Sequence, residues 1–138
     1  MLANVVVRGV ELELPLRVLL VDDVAAFRAV ARAYLQEIGD VTLIGEASCG
    51  DEALIQLDRL QPDLVLMDVH MKRGNGLDTA RRIKAKAKHP LVVLFSLQSD
   101  DAMRRAAIAS GADDFFSKSD FPHGVACALE RIMGEPAS

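Results

Sequence analysis

The sequence has few of the residues that mark several large classes of protein. Its two cysteines, Cys49 and Cys127, form no CxxC motif, so we expect both to be reduced and structural. Its three histidines lack the spacing of zinc ligands. No apolar run approaches the roughly 20 residues of a membrane span, and the first residues lack the basic region of a signal peptide. These absences predict a cytoplasmic protein with no zinc cluster and no membrane segment.

Two further absences restrict the ligands. No GxGxxG or GxxxxGK[ST] motif follows a strand-like run, so we expect no nucleotide-phosphate loop. The net charge is −4, which argues against a nucleic-acid surface. The length of 138 residues, with 51% apolar and 26% charged residues, is typical of one soluble globular domain.

The apolar pattern predicts five strands that alternate with five helices. Apolar runs that are buried on both faces are typical of parallel strands, and the alternation supplies the crossover helices that such strands need. The sequence therefore predicts an α/β fold with helices on both faces of a parallel sheet. The predicted strands are 16–21, 42–47, 64–68, 91–96 and 113–117, and the predicted helices are 24–38, 51–60, 77–88, 99–110 and 120–133.

The predicted domain, residues 16–133, is flanked by two short segments. Residues 1–15 form an N-terminal extension in which an apolar run, an Arg8-Gly9 break and an alternating run resemble a small hairpin, although a disordered segment is the alternative. The valines and leucines at residues 4–14 leave too much apolar surface for a free tail, so we expect docking on the domain or self-association. Residues 134–138 look like a tail or the start of a linker.

Polar residues stand at the ends of four predicted strands: Asp22 and Asp23, Asp68, Ser96 and Lys118. Because ligands of open parallel sheets bind outside the carboxyl ends of the strands, we expect these side chains to meet at one crevice. Three clustered carboxylates repel one another, and a hard divalent cation, for which Mg²⁺ fits best, would relieve the repulsion. A lysine and a hydroxyl beside them could orient a tetrahedral oxyanion, as phosphoryl transfer requires.

With these residues, the chain resembles the receiver domain of two-component response regulators, of the chemotaxis-regulator type, either as a single-domain protein or excised from a longer one. The resemblance implies a flavodoxin-like, doubly wound fold with strand order 2-1-3-4-5. It also implies that Asp68 is the phosphoacceptor. Asp22 and Asp23 would hold Mg²⁺ together with Asp68 and the backbone carbonyl of His70.

The same resemblance assigns the remaining roles. Ser96 would contact the phosphoryl group, Lys118 would pair with it, and Phe115 would be the switch aromatic. The domain would receive its phosphoryl group from a histidine kinase or a phosphotransfer protein and would then bind a downstream protein or a second copy. It would catalyse only its own phosphotransfer and autodephosphorylation, and it would contact neither nucleic acid nor a membrane.

Two other functions and three local features stay open. A pseudo-receiver that docks without phosphorylation is one alternative; an aspartyl-phosphate phosphatase is weaker, because His70 replaces the second aspartate of Asp-x-Asp. Lys72 stands where the family usually has proline, which suggests a more mobile loop. Ser119 replaces another family proline, so we expect a trans peptide after Lys118. Phe27 could be either a core residue or part of a docking surface.

Overall fold

The computed structural model describes residues 3–134. A 3₁₀ turn at Lys118–Asp120 precedes the last helix. The strands are β1 (Asn4–Val7), β2 (Val10–Glu13), β3 (Leu16–Val21), β4 (Val41–Ala47), β5 (Leu64–Asp68), β6 (Leu91–Ser96) and β7 (Asp114–Ser117). The helices are α1 (Ala25–Leu35), α2 (Gly50–Leu60), α3 (Gly76–Lys84), α4 (Asp101–Ala109) and α5 (Phe121–Met133).

Five of the strands form one parallel sheet in the order β4-β3-β5-β6-β7. Counted along the sheet's own strands, this order is 2-1-3-4-5, so the predicted flavodoxin-like topology is confirmed. The strand order reverses between β3 and β5, because the chain first moves outward to β4 and then returns to the other side of β3. This reversal opens a crevice at the carboxyl ends of β3 and β5, where ligands bind in open α/β sheets.

The helices cover both faces of the sheet. Residues that alternate along β3, β5 and β6 pack with α1 and α5 on one face and with α2, α3 and α4 on the other. Because both faces are covered, β5 and β6 are apolar up to their last residues, and every residue of these two strands is buried. The polar residues of these strands therefore occur only where the strands end, at Asp68 and Ser96.

Two helices end earlier than the apolar period predicts. α1 ends at Leu35 and α3 at Lys84, rather than near residues 38 and 88. Beyond each end, N–H groups bond carbonyls three residues back, which is the tightened turn that often finishes a helix. The bonds are from Glu37 to Tyr34 at 3.0 Å and from Lys86 to Ile83 at 3.1 Å.

Residues 4–13 form an antiparallel hairpin that packs on the domain. Arg8 and Gly9 at its turn both have positive φ, of 50° and 80°, as the twist-matched type I′ turn requires. Val5 and Val7 of β1 are buried in the core on the α1 and α5 face. Of the predicted tail at residues 134–138, everything beyond Gly134 lies outside the described residues. Within residues 3–134, every helix is too short or too polar to cross a bilayer.

Candidate functional site

Three carboxylates meet at the crevice between β3 and β5. Val21 pairs with Met67 in the parallel register, so the next residues along the two strands, Asp22 and Asp68, are neighbours. One oxygen from each of Asp22, Asp23 and Asp68 lies within 4.8 Å of the others. Asp22 is fully buried and only 4% of Asp68 is exposed, whereas Asp23 is half-buried. The pattern of strand ends therefore brings together the three acidic residues that the sequence predicts.

Lys118 joins the two buried carboxylates. It follows β7, and its Nζ lies 2.7 Å from Asp22 Oδ2 and 2.8 Å from Asp68 Oδ2. Burial lowers the pKa of Lys118, but its contacts with Asp22 and Asp68 outweigh burial, so the pKa is raised and the ammonium stays charged. One ammonium among three carboxylates leaves two negative charges unbalanced.

At Asp68, burial has a larger effect on the pKa than the contact with Lys118 has. Burial raises the pKa of its carboxyl more than the Lys118 ammonium lowers it, and the neighbouring Asp22 charge raises it further. The N–H of His70, which donates to Asp68 Oδ1 at 3.2 Å, offsets this only in part. Further positive charge beside Asp68 would therefore favour the ionised form of its carboxyl.

The donor set fits a magnesium ion. Asp22 Oδ2 is buried, and although Lys118 lies close to it, no donor among the described residues makes a correctly angled hydrogen bond to it. A buried carboxylate oxygen without such a bond is costly, and binding a cation would satisfy it. Carboxylate and carbonyl oxygens are the ligands that Mg²⁺ prefers, and the site offers Asp22, Asp23 and Asp68 beside the His70 backbone.

The loop after β5 carries two features that the sequence did not predict. The N–H of Lys72 donates to Asp23 Oδ2 at 2.8 Å. Gly76 begins α3 directly behind β5, where a Cβ would overlap the Asp68 carbonyl and lie 2.8 Å from Val69 Cα. The Asn75-Gly76 dipeptide could have indicated this helix start from the sequence. Asn75 is a favourable N-cap residue, and its side chain accepts the Leu77 N–H at 2.7 Å.

Ser96 and Phe115 lie on the two strands beyond Asp68. Ser96 ends β6, one residue after the partner of Asp68 in the register, and it is fully buried. Its Oγ accepts the Gln98 N–H at 3.0 Å, which leaves the hydroxyl hydrogen available for a new acceptor. Phe115 on β7 is also fully buried, and the guanidinium of Arg104 lies 5.5 Å from its ring centroid.

The Lys118 ammonium also contacts aromatic rings. Its Nζ lies 4.4 Å from the ring centroid of Phe27, which is half-buried and packs edge to face on Phe121 at 5.2 Å. Phe27 is thus a packing residue that also contacts the site lysine, while its role in docking stays a prediction. Leu14–Pro15 is the one cis peptide within residues 3–134, so the Lys118–Ser119 bond is trans, as predicted.

Comparison with known proteins agrees with this fold. A profile of the response regulator receiver domain matches residues 18–125. The chain therefore belongs to the response regulator receiver domain family, which serves two-component signalling. The predicted resemblance to that family is confirmed over residues 18–125.

Three relatives illustrate the similarity. Chemotaxis protein CheY of Thermotoga maritima is 34% identical over 84% of this chain and 96% of its own length. Protein-glutamate methylesterase/protein-glutamine glutaminase 1 of Methanospirillum hungatei is 41% identical over 87% of this chain, which spans only 34% of that protein. The crystal structure of the response regulator domain of Thermotoga maritima CheB has a TM-score of 0.75 and 31% identity, over 85% of this chain and 92% of that one.

Proposed function

We propose that this receiver domain is a phosphorylation switch whose acceptor is Asp68. The observation that carries the proposal is the bridge of Lys118 Nζ to Asp22 and Asp68, at 2.7 and 2.8 Å, inside a cluster of three carboxylates. A docking module without phosphorylation would have no need for two buried carboxylates that repel each other beside a buried lysine. The phosphoacceptor function therefore accounts for this arrangement better than the docking alternative does.

The chain's own residues would bind and orient the phosphoryl group. An Asp68 carboxylate oxygen attacks phosphorus as the N–P bond of a phosphohistidine donor breaks, and the leaving imidazole takes the electron pair and then a proton from solvent. Lys118 is placed to leave the carboxylate and donate to the incoming phosphoryl oxygens. The Ser96 hydroxyl supplies a second donor at the same sheet edge.

Asp22, Asp23, Asp68 and the backbone carbonyl of His70 are the proposed ligands of Mg²⁺. A bound Mg²⁺ would neutralise part of the negative charge of the carboxylates and of an incoming phosphoryl group. Folding brings these carboxylates close together, where they repel one another. A bound cation would relieve this repulsion and would therefore stabilise the folded chain. At saturating Mg²⁺, we expect stabilisation of about 1 to 3 kcal/mol.

The proposed partners follow from the family. A histidine kinase or a phosphotransfer protein supplies the phosphoryl group, and a downstream protein or a second copy of the chain reads the phosphorylated state. The chain itself catalyses only phosphotransfer to Asp68 and hydrolysis of the resulting acyl phosphate. The methylesterase and glutaminase activities are those of the longer relative, of which this chain spans about a third.

The test is phosphorylation by acetyl phosphate with and without Mg²⁺, followed by the mass of the intact protein. Wild type should gain one phosphoryl group only with the metal, and Asp68→Asn should gain none. Asp58→Asn, which changes an exposed aspartate of α2, is the matched control and should be labelled like wild type. Labelling of Asp68→Asn would show that another residue is the phosphoacceptor. Wild type that resists both acetyl phosphate and a phosphorylated kinase would favour the docking module.

A further inference from the structure

A pocket of about 630 Å³ lies between the N-terminal hairpin and the amino ends of β5 and β6, at the edge of the sheet opposite Asp68. Pockets of roughly 300 to 1,000 Å³ are the usual size for small organic ligands. The hairpin supplies one wall, and the end of α2 and the segment before β6 supply the other. Its apolar walls are Val7, Val10, Leu12, Leu57, Pro62 and Leu91.

The pocket exists because the hairpin is not part of the main sheet. β1 and β2 pair only with each other, and β1 packs Val5 and Val7 on the α1 and α5 face. Val10 and Leu12 of β2 instead line the pocket, together with the segments that precede β5 and β6. Val10 of β2 is accordingly 57% exposed although it is apolar, and Leu12 is half-buried.

Cations dominate the polar part of the lining. Arg8 and Lys84 both pair with the single carboxylate of Asp113, at 3.0 and 2.8 Å. Lys86 lies 3.4 Å from Asp58, whereas Lys88 is exposed and makes no ion pair within residues 3–134. Asp63 is a further carboxylate of the lining, so the four cations face three carboxylates, Asp58, Asp63 and Asp113, and one positive charge remains in excess.

We propose that this hairpin pocket binds a small organic anion that has an apolar body. The valine and leucine walls would cover the apolar body, and the Lys86 and Lys88 ammonium groups would contact the anionic group. A bare inorganic anion would leave the apolar walls wet. The proposal concerns a site at the other end of the sheet from Asp68 and goes beyond the phosphorylation function.

A second copy of the chain is a poorer occupant of the same surface. In a twofold dimer, an interface through this face would place equivalent patches near each other. Both copies would then bring a surface with an excess of positive charge to the interface, which opposes association. The excess of positive charge therefore favours a small anion over self-association.

Anilinonaphthalene sulfonate is a suitable probe, since it joins an aromatic body to an anion and fluoresces strongly in apolar sites. Titrated into the full chain, it should bind one site, and decanoate should displace it. Inorganic phosphate, which lacks an apolar body, and decanol, which lacks a charge, should displace it at least about tenfold less well. The Asp68→Asn variant should bind the probe as wild type does, which separates this site from the phosphoacceptor.

Two pairs of variants locate the binding. Val10→Asp and Lys88→Glu should each raise the Kd of the probe by about tenfold. Their controls make the same change of charge away from the pocket: Val30→Asp alters a valine of α1 that is 69% exposed, and Arg105→Glu alters an exposed cation of α4. Both controls should stay within about twofold of wild type. All four positions are exposed, so melting temperatures should confirm that each variant folds.

Three results would overturn the proposal. The first is that wild type binds no probe at a single site. The second is that the pocket variants and their controls weaken binding equally, or that phosphate displaces the probe as well as decanoate does. The third is that probe binding falls as the protein concentration rises while sedimentation shows a dimer, since a second copy would then cover the pocket.

Discussion

The backbone N–H of Lys72 donates a hydrogen bond to Asp23 Oδ2 at 2.8 Å, which attaches the loop after β5 to the acidic pair Asp22 and Asp23. Proline, the residue usual in the family at this position, has no N–H to donate. A proline would stiffen the loop through its fixed φ, whereas here the loop is attached to Asp23 by a hydrogen bond to a charged acceptor. The loop is therefore attached to Asp23 by this hydrogen bond, although it lacks the proline.

Substitution of Asp23 should release the Lys72 amide. Because a hydrogen bond to a charged group contributes about 1.5 to 3 kcal/mol, Asp23→Ala should speed hydrogen exchange at the Lys72 amide by about tenfold or more. Asp23→Asn keeps an oxygen acceptor and should retain most of the protection. Amide exchange followed by NMR measures both. Equal exchange in wild type and Asp23→Ala would show that the bond does not hold in solution.

A change of Asp68 to asparagine should stabilise the metal-free protein at neutral pH. Burial raises the pKa of Asp68 in the folded chain above its unfolded value of about 3.9. The folded state therefore holds the proton more tightly, and stability falls as the pH rises from the unfolded pKa through the folded one. Asp68→Asn removes this loss, so its gain should be on the order of 1 kcal/mol at pH 7 and should vanish near pH 3.

Urea denaturation in chelator at several pH values measures that gain. Asp58→Asn, on the exposed surface of α2, is the control and should change stability little at any pH. A pH-independent effect of Asp68→Asn would point to packing rather than charge as its cause.

The N-terminal hairpin should contribute to stability through one face of β1. Val5 and Val7 are 4% and 3% exposed, whereas Val6 between them is 43% exposed. Val5→Ala and Val7→Ala should each lower the free energy of unfolding by about 1 to 2 kcal/mol, and Val6→Ala by less than about 0.5 kcal/mol. Deletion of residues 1–14 should lower it further. Equal effects at the three valines, or an unchanged stability after the deletion, would mean that the hairpin does not dock in solution.

The fold and the acidic cluster could be predicted because apolar runs show where the buried strands lie and polar residues show where these strands end. Buried strands exclude polar residues along their length, so Asp22, Asp68 and Ser96 stand out at the end of apolar runs, and parallel connection brings these ends to one edge. The lysine after β7 follows from the same rule. These residues were recognisable without any knowledge of side-chain contacts.

Other features depend on contacts that no local pattern encodes. The tie from Lys72 to Asp23 involves a backbone N–H, which every residue except proline carries, and its partner lies 49 positions away. The pairing of Arg8 with Asp113 depends on how the hairpin docks, and the apolar alternation of residues 4–14 indicates only that it should bury one face. The early ends of α1 and α3 arise from tightened turns, to which apolar periodicity is insensitive.

Phosphorylation should act on the output surface through Ser96 and Phe115. The Ser96 hydroxyl hydrogen is available, and a phosphoryl group on Asp68 would offer it a charged acceptor. Movement of Ser96 toward that group would favour the buried position of Phe115 on the adjacent strand, which is the position in this structure. Because phenylalanine has no hydroxyl to keep hydrated, we expect its inward rotamer to be well populated even before phosphorylation.

Arg104 connects Phe115 to the surrounding helices. Its guanidinium lies 5.5 Å from the Phe115 ring centroid and 4.0 Å from Asp114 Oδ1, and Asp114 in turn accepts from Arg131 of α5 at 2.7 Å. A rotamer change at Phe115 would therefore shift contacts that join α4, β7 and α5. That surface is where we expect the downstream protein or a second copy to bind, and a few kcal/mol of differential contact is enough to shift such an equilibrium.

Ser96→Ala should therefore separate phosphorylation from its readout. The variant should still be phosphorylated at Asp68, but phosphorylation-dependent partner binding or dimerisation should weaken by about tenfold, the value of one charge-assisted hydrogen bond. Ser96→Thr keeps the hydroxyl and should restore most of the coupling. The side-chain rotamer of Phe115, followed by NMR in the free and beryllofluoride-bound protein, should shift toward one inward state in wild type and less in Ser96→Ala. Full coupling in Ser96→Ala, or a single unchanged Phe115 rotamer in both states of wild type, would exclude this mechanism.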